Sequence, residues 1–172
     1  MPRKNLITAA AVVALSAALA FPAMAQSARA TLKDKDGKEI GAVGLSQTPA
    51  GVLLKVAVKS VPAGEHAFHI HAVGKCEAPF DSAGGHFNPA QHKHGILAGE
   101  GHAGDMPNLF VPASGELTVE ILNTNVTLAK GKPNSLFDAD GSAVVIHAGP
   151  DDYKSDPAGN AGGRIACGVV SE

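Results

Sequence analysis

Histidine is unevenly distributed along this 172-residue chain. Seven of its eight histidines fall between residues 66 and 102, and the eighth, His147, ends an apolar segment far downstream. Imidazole is the commonest metal ligand in proteins, and a merely solvated loop has no use for so many of them. The clustering therefore indicates metal chemistry, and the neighbouring residues suggest how the histidines are divided.

The first group of histidines lies in a segment with alternating apolar residues. On an extended strand, Phe68 and Ile70 share one face with His66. His69 and His71 project from the opposite face, about 7 Å apart at roughly 3.3 Å per residue. Two imidazoles at that spacing can converge on one metal ion. We interpret His66, on the core side, as a packed histidine that bonds to the backbone.

The same alternation places a third histidine on the side of His69 and His71. Val144 and Ile146 face one way at the end of an apolar run, and His147 faces the other. His147 can therefore join the first pair over one surface. Because pairs at this spacing also occur by chance on ordinary strands, the third histidine strengthens the metal hypothesis only modestly.

A second set of donors lies in a stretch rich in glycine and proline. His94, His102 and Asp105 offer imidazole nitrogen and carboxylate oxygen, a combination that suits tetrahedral zinc once another imidazole completes it. His86 is a candidate for that fourth position. From the residues alone, the alternative is a loop with surface histidines, and we interpret His92 as solvent-exposed.

Short alternating segments separated by breaks rich in Gly, Pro and Asp organise the rest of the chain. This pattern predicts about eight strands, no convincing helix, and an antiparallel sandwich or flattened barrel. Two long stretches interrupt it, residues 72–114 and 148–163, and such stretches are usually either functional or disordered. Their histidine content favours function. The strand candidates are residues 28–34, 38–46, 52–59, 66–71, 115–122, 124–128, 142–147 and 164–169.

The start of the chain has the pattern of an export signal. Arg3 and Lys4 precede a small apolar run, residues 6–20, and an A-x-A cleavage pattern then ends at Ala25. A membrane anchor is the alternative, but a run of about 15 alanine-rich residues falls short of the roughly 20 that a spanning helix needs. We expect cleavage after Ala25, which leaves residues 26–172 as a single domain.

Charge and cysteine content indicate what the exported protein does not bind and how its cysteines are used. Cleavage removes two of the 14 lysines and arginines, which leaves 12 against 16 acidic residues and a formal charge of −4. That balance gives no general affinity for nucleic acid or for anionic membranes. Cys76 and Cys167 form an even pair, and in an oxidising compartment we expect a structural disulfide, with two free thiols as the alternative.

Four motifs in one order give the sequence a specific resemblance. They are Gly64-x-His66-x-Phe68-His69-x-His71, Gly84-x-His86-Phe87-Asn88-Pro89, His102-x-Gly104-Asp105 and Gly159-Asn160-Ala161-Gly162-x-Arg164-x-Ala166-Cys167-Gly168. Over roughly residues 30–170 the chain resembles the copper–zinc superoxide dismutases, and its export signal resembles those of the bacterial branch. The resemblance implies an eight-stranded Greek-key flattened barrel of immunoglobulin-like type, in a periplasmic monomer or homodimer.

The resemblance also implies a role for each matching residue. Four histidines match the family's copper ligands: His69, His71, His86 and His147. Three histidines and one carboxylate match its zinc ligands: His86, His94, His102 and Asp105. His86 would then bridge both metals as an imidazolate.

Four further positions match the family outside these ligand sets. Arg164 matches the arginine that receives the anionic substrate beside the copper. Asp151 matches the carboxylate that ties one copper histidine to one zinc histidine. Cys76 and Cys167 match the disulfide that fixes the long loop to the last strand.

The implied reaction is the dismutation of superoxide, in which two superoxide anions and two protons give dioxygen and hydrogen peroxide. The reaction takes two one-electron steps, for which copper has two oxidation states and zinc does not. We expect the His86–copper bond to open on reduction, with His86 carrying a proton.

Two other functions compete with this one. A non-catalytic copper- or zinc-binding or copper-delivery protein on the same fold should lack copper ligands or add a thiol donor. An adhesion or scaffold sandwich with incidental histidines would explain neither Arg164 nor Asp151.

Overall fold

The computed structural model describes residues 26–97 and 99–172, so the predicted signal peptide, residues 1–25, lies outside it. Nine strands run through the described part of the chain, and its one helical element is a 3-10 turn at Asp81–Ala83. The prediction of an all-β fold is therefore confirmed. No helix among these residues has the length and apolar character needed to cross a membrane. The strands are β1 Ser27–Asp34, β2 Glu39–Thr48, β3 Gly51–Val58, β4 Gly64–His66, β5 Phe68–His71, β6 Leu109–Val111, β7 Leu117–Asn123, β8 Ala143–His147 and β9 Arg164–Ser171.

Seven strands form one antiparallel sheet in the order β5-β8-β9-β1-β2-β3-β7, and β4 pairs with β6 in a second, two-stranded sheet. Of the strands in the described residues, the last lies beside the first, because β9 pairs with both β1 and β8. The large sheet curls as a half-barrel. The Greek-key path through it stays a prediction.

The structure has nine strands where eight were predicted, and the differences have local causes. Residues 66–71 divide into two strands, because β4 pairs with β6 whereas β5 pairs with β8. β6 itself lies within the predicted irregular stretch, residues 72–114. Residues 124–128 form no strand in the described structure: the N–H of Leu128 donates to the side chain of Gln47, and Thr127 makes an isolated bridge to Ser135.

The core follows the alternation of the strands. In β3, Leu54, Val56 and Val58 are buried while Lys55 is exposed, as the sequence predicts. Burying each such aliphatic side chain is worth about 1.5–3 kcal/mol relative to leaving it in water. In β5, Phe68 is fully buried in the same core. The apolar faces therefore fix which sides of β5 and β8 are left for the histidines.

The long stretch after β5 returns and pairs with that strand. The N–H of Ile70 donates to the Gly104 carbonyl, and the N–H of Phe87 donates to the Ile70 carbonyl. A Cβ atom at Gly104 would lie 2.2 Å from the Ile70 carbonyl oxygen, so this close approach requires glycine. The returning chain therefore places Asp105 beside His69 and His86 beside His71.

A disulfide between Cys76 and Cys167 ties the same stretch to β9, which confirms the predicted pairing. The two cysteines are 91 residues apart, and closing a loop of that size is worth about 4–5 kcal/mol in the chain-entropy model. Phe80 and Val145 pack beside the bond in a small apolar cluster. The start of the loop is therefore fixed to β9, next to β8.

Candidate metal centre

The side chains predicted as metal ligands meet in two overlapping buried sets. We call the first donor set the four histidines whose ligand atoms lie within 4.8 Å of one another: His69, His71, His86 and His147. The second donor set is formed in the same way by His86, His94, His102 and Asp105. β5 and the end of β8 supply three members, and the returning stretch supplies the other four. His86 belongs to both sets.

Outer hydrogen bonds decide which nitrogen each ring of the first donor set presents. His71 Nδ1 lies 2.9 Å from the Gly84 carbonyl, and His147 Nδ1 lies 3.3 Å from the Gly162 carbonyl. His69 Nε2 lies 2.8 Å from a carboxylate oxygen of Asp151. Carbonyl and carboxylate oxygens only accept, so these three nitrogens carry the N–H. The lone pairs are therefore left on the other nitrogen of each ring.

These lone pairs face one another without a proton between them. His71 Nε2 and His147 Nε2 are 3.4 Å apart. Within the described part of the chain, His69 Nδ1 and His86 Nε2 are buried and have no hydrogen-bond partner. An unsatisfied buried polar atom costs about 1–3 kcal/mol. Converging nitrogen acceptors fit a metal ion, and imidazole ligands suit copper.

The second donor set has the composition of a zinc site. One oxygen of Asp105, Oδ1, lies 2.9 Å from His86 Nδ1 and 3.5 Å from His102 Nδ1. His94 Nδ1 lies 3.1 Å from the same oxygen. Asp105 Oδ2 instead accepts the backbone N–H groups of Gly95 and His102. Three nitrogens and one oxygen around a common point match the ligands of tetrahedral zinc.

A single ring, that of His86, lies between the two donor sets. Its Nδ1 faces Asp105, and its Nε2 is the buried nitrogen without a partner. The centre of the ring is 4.0 Å from that of His69 and 5.1 Å from that of His94. The two nitrogens of one imidazole can therefore serve two ions.

Asp151 joins the two donor sets from the outside. Its Oδ2 accepts from His69 Nε2 at 2.8 Å, and its Oδ1 accepts from His94 Nε2 at 2.9 Å. Burial works against the charged form, but hydrogen bonds from both rings and from the N–H of Tyr153 outweigh it and lower the pKa of Asp151 to about 2. A carboxylate charged at all physiological pH values fixes both rings in one tautomer.

Burial keeps three rings of the first donor set neutral, those of His69, His71 and His147. It lowers the pKa of His69 to about 4, that of His71 to about 2 and that of His147 to about 3, against an ordinary value of 6.5. The close approach of the rings to one another acts in the same direction. These nitrogens are therefore free to bind a metal ion at neutral pH without first losing a proton.

Arg164 begins β9 opposite His147 and lies in the same cleft. Its guanidinium donates to the Phe80 carbonyl at 2.5 Å and to the Gly84 carbonyl at 2.6 Å. The Gly84 carbonyl also accepts from His71 Nδ1, so one backbone oxygen positions both the cation and a donor ring. The cleft has a volume of about 420 Å³, which admits a small anion.

The two histidines outside the donor sets, His66 and His92, differ in burial as the sequence predicts. His66 is buried, with ring nitrogens 2.8 Å from the His147 carbonyl and 2.9 Å from the Pro62 carbonyl, which confirms a packed histidine bonded to backbone. His92 is 39% exposed, as predicted. Its Nε2 also lies 3.0 Å from a carboxylate oxygen of Glu100, a contact that the sequence did not indicate.

His69 and His71 face away from the apolar core, as the alternation predicts. They are nevertheless buried, with 0% and 1% of their surface exposed. The returning stretch and the loop after β8 cover them. Sequence reasoning also missed the Gly84 carbonyl, since a backbone acceptor has no residue-type signature beyond the glycine itself.

Comparisons with known proteins agree with this geometry. Residues 39–170 match the family model described as copper/zinc superoxide dismutase (SODC). The chain is 58% identical over 144 residues to superoxide dismutase (Cu-Zn) 1 of Aquifex aeolicus strain VF5, a match covering 82% of this chain and 85% of that protein.

Solved structures give the same result. A double mutant of a superoxide dismutase-like protein from Bacillus subtilis has a TM-score of 0.80 and 39% identity, covering 82% of this chain and 95% of that one. The Cu/Zn superoxide dismutase from Brucella abortus has a TM-score of 0.70 and 30% identity, covering 85% of this chain and 100% of that one. With a family match over more than half of its length, the chain belongs to the copper/zinc superoxide dismutase family.

Proposed function

We propose that this protein is a superoxide dismutase, which converts two superoxide anions and two protons into dioxygen and hydrogen peroxide. The observation that carries the proposal is the single ring of His86 between two buried donor sets, with a cationic group in the same cleft. Relatives named superoxide dismutase at 58% and 48% identity support it.

Each donor set has its own metal in this proposal. Copper would be held by His69 Nδ1 and by the Nε2 atoms of His71, His86 and His147, and it would supply the one-electron cycle between Cu(II) and Cu(I) that the reaction needs. The second donor set would hold zinc, through His86 Nδ1, His94 Nδ1, His102 Nδ1 and Asp105 Oδ1.

His86 is the residue that holds and moves a proton. Its Nδ1 is engaged beside Asp105, so the ring keeps its place when Nε2 changes state. Nε2 takes up one proton in the first half of the reaction. It donates that proton to the reduced oxygen species in the second half, and water supplies the other.

Arg164 receives the anionic substrate. The sequence carries a formal charge of −2, so the field of the whole molecule does not attract an anion. A charge inside a narrow cleft outweighs the distant net charge, because low-dielectric walls focus its field. The carbonyls of Phe80 and Gly84 occupy part of the guanidinium and hold it in one orientation, which leaves its remaining N–H groups for superoxide.

A non-catalytic copper- or zinc-binding or copper-delivery protein is the less favoured alternative. That function should lack members of the first donor set or add a thiol for Cu(I). All four histidines are present, and no free cysteine occurs among residues 26–97 and 99–172.

We also infer that residues 1–25 are a signal peptide and that the mature protein acts in the periplasm. The disulfide between Cys76 and Cys167 supports an oxidising compartment. Expression of the full chain in a bacterium tests this inference. The periplasmic fraction should contain a protein that begins at Gln26, whereas an uncleaved cytoplasmic product would contradict it.

The experiment that tests the function is a superoxide-decay assay on protein loaded with copper and zinc. The loaded wild-type protein should consume many equivalents of superoxide. The zinc-only protein and the loaded His86→Ala variant should be much slower. A loaded wild-type protein that binds both metals but consumes superoxide no faster than free buffer would favour the metal-binding alternative.

A further inference from the structure

Asn108 is a buried polar residue that none of the assigned roles uses. It lies three residues after Asp105 and just before β6, and only 5% of its surface is exposed. Its Nδ2 donates to the backbone carbonyl of Asp151 at 3.0 Å, and its Oδ1 accepts the backbone N–H of Asp151 at 2.9 Å. The side-chain amide therefore holds both polar groups of one residue, as a neighbouring strand would.

Two further contacts fix the orientation of this amide. The second N–H of Nδ2 donates to Oε1 of Glu65, which lies in β4, at 2.8 Å. The backbone N–H of Asn108 donates to the hydroxyl of Tyr153 at 2.7 Å. A carboxylate and a carbonyl only accept, and a backbone N–H only donates, so the amide has one arrangement that satisfies every partner. Asn108 is thus held by elements on both sides of Asp151.

Held in this way, the backbone of Asp151 determines where its carboxylate lies. The two carboxylate oxygens reach His69 Nε2 and His94 Nε2, one ring from each donor set. The side chain of Asp has only two rotatable bonds, so a shift of its backbone moves both oxygens. The tautomer and tilt of both rings therefore depend on a residue that touches neither ring.

We propose that Asn108 is a positioning residue for both metal sites, which it controls through Asp151. The proposal rests on the proposed function, because it takes His69 and His94 as metal ligands. Loss of an outer hydrogen-bond partner of a ligand commonly costs roughly 10–100-fold in metal affinity. Asn108 acts one residue further out, and the lower end of that range applies.

The test compares metal release with and without Asp151 in protein loaded with copper and zinc. Zinc released to a chromogenic chelator should appear roughly tenfold faster from Asn108→Ala than from wild type. The Cu(II) electron paramagnetic resonance (EPR) spectrum of the same variant should also change, because the ring of His69 is no longer held. In the Asp151→Ala background, Asn108→Ala should change neither readout by more than about twofold, since no carboxylate is left to position.

Asn123 provides the matched control. It is also a buried asparagine, and its Nδ2 donates to the Ala103 carbonyl beside the second donor set. The effect of Asn123→Ala on zinc release should be the same whether or not Asp151 is present. If Asn108→Ala does not fold, Asn108→Asp takes its place, because it keeps the acceptor for the Asp151 N–H and removes the donor to its carbonyl.

The outcomes separate this inference from the proposed function. Equal acceleration by the Asn108 variant in both backgrounds would show that it does not act through Asp151, and would overturn the proposal. Unchanged zinc release and an unchanged Cu(II) spectrum would overturn it as well. If the wild-type protein itself binds no zinc or copper at the donor sets, the proposed function fails before the role of Asn108 arises.

Discussion

At the scale of single residues, the site depends on which nitrogen of each imidazole is free. His71 presents Nε2 and His69 presents Nδ1, because a carbonyl accepts from the other nitrogen of His71 and a carboxylate accepts from the other nitrogen of His69. A change in either acceptor would alter a donor ring without touching it. The residue types were readable from the sequence, whereas the choice of nitrogen was not, since it depends on distant backbone atoms.

A substitution at His147 tests the first donor set by itself, because His147 is not a member of the second donor set. His147→Ala should lower the rate of superoxide decay by roughly 100-fold or more, since losing even an outer partner of a ligand costs roughly 10–100-fold. Zinc content and the circular dichroism spectrum should be unchanged. Full activity in a variant that still carries both metals would contradict its assignment as a ligand.

Arg164 should affect the arrival of substrate rather than the binding of copper. Arg164→Gln should slow superoxide decay by roughly tenfold or more at low salt, the lower end of the range for electrostatic steering. Added salt should slow the wild-type protein more than the variant, and copper content should not change. Lys130→Gln is the charge-matched control, because Lys130 pairs with Glu172 and is exposed. A variant as fast as wild type at low salt would exclude this role for Arg164.

At the scale of elements, the returning stretch after β5 builds most of the site. Its backbone pairs with Ile70, and its side chains supply four of the seven candidate ligands. The disulfide fixes the start of the stretch to β9, only three residues after Arg164. The carbonyls that hold Arg164, those of Phe80 and Gly84, lie in the segment that the disulfide anchors. The disulfide therefore contributes both to the stability of the fold and to the position of Arg164 in the cleft.

Removing that bond should therefore have two effects. The Cys76→Ser, Cys167→Ser double variant should lose about 4–5 kcal/mol of unfolding free energy, measured by denaturant titration of the metal-free protein. The metal-loaded variant should also show a weaker salt dependence of superoxide decay, because Arg164 is less firmly held. An unchanged free energy of unfolding would contradict the structural role of the disulfide.

The sequence predicted elements well where structure is local and poorly where it is not. The alternation in β3 has a period of two and is visible in a few residues. The short strand β6 could not be predicted, because it pairs with β4, some 45 residues earlier in the chain. The prediction of a strand at residues 124–128 was wrong, and there too a distant residue matters, since Gln47, 81 residues before Leu128, accepts the backbone N–H of Leu128.

At the scale of the whole molecule, folding holds several buried titratable groups of the site in fixed protonation states. Within the described chain, three buried rings have a pKa well below 6.5 and a buried carboxylate has a pKa of about 2. Neutral rings and a charged carboxylate are the states that bind metal. The same states make the metal-free fold sensitive to acid.

The metal-free protein should lose stability as the pH falls from about 6.5 towards 4. The unfolded state binds protons at its histidines near pH 6.5, whereas His69, His71 and His147 stay neutral in the folded state until the pH nears 4 or lower. Each such ring contributes up to about 1.4 kcal/mol per pH unit. Denaturant titrations at pH 7.5 and 5.5 measure this loss.

The matched variant for that measurement is His71→Ala. It removes one of the rings whose pKa burial lowers, so its stability should depend less steeply on pH than that of the wild type. A metal-free wild-type protein that is equally stable at pH 7.5 and 5.5 would show that these rings are not kept neutral by burial.

The convergence of the site could be predicted only in part. The alternation of apolar residues placed His69, His71 and His147 on one side of the sheet. The resemblance to the family assigned the remaining metal ligands. The sequence does not show how the two long loops come together over β5. That arrangement depends on contacts such as the one between Asp151 and His69, which are 82 residues apart. Such contacts arise from the packing of the whole sheet and its two long loops, not from any local pattern.

The most direct test concerns the ring of His86 between the two metals. Protein loaded with Cu(II) at both donor sets should lose most of its ordinary Cu(II) EPR intensity, because a bridging imidazolate couples the two unpaired spins. The doubly loaded His86→Ala variant should recover two independent Cu(II) signals. Full, uncoupled signals from the doubly loaded wild-type protein would contradict the account.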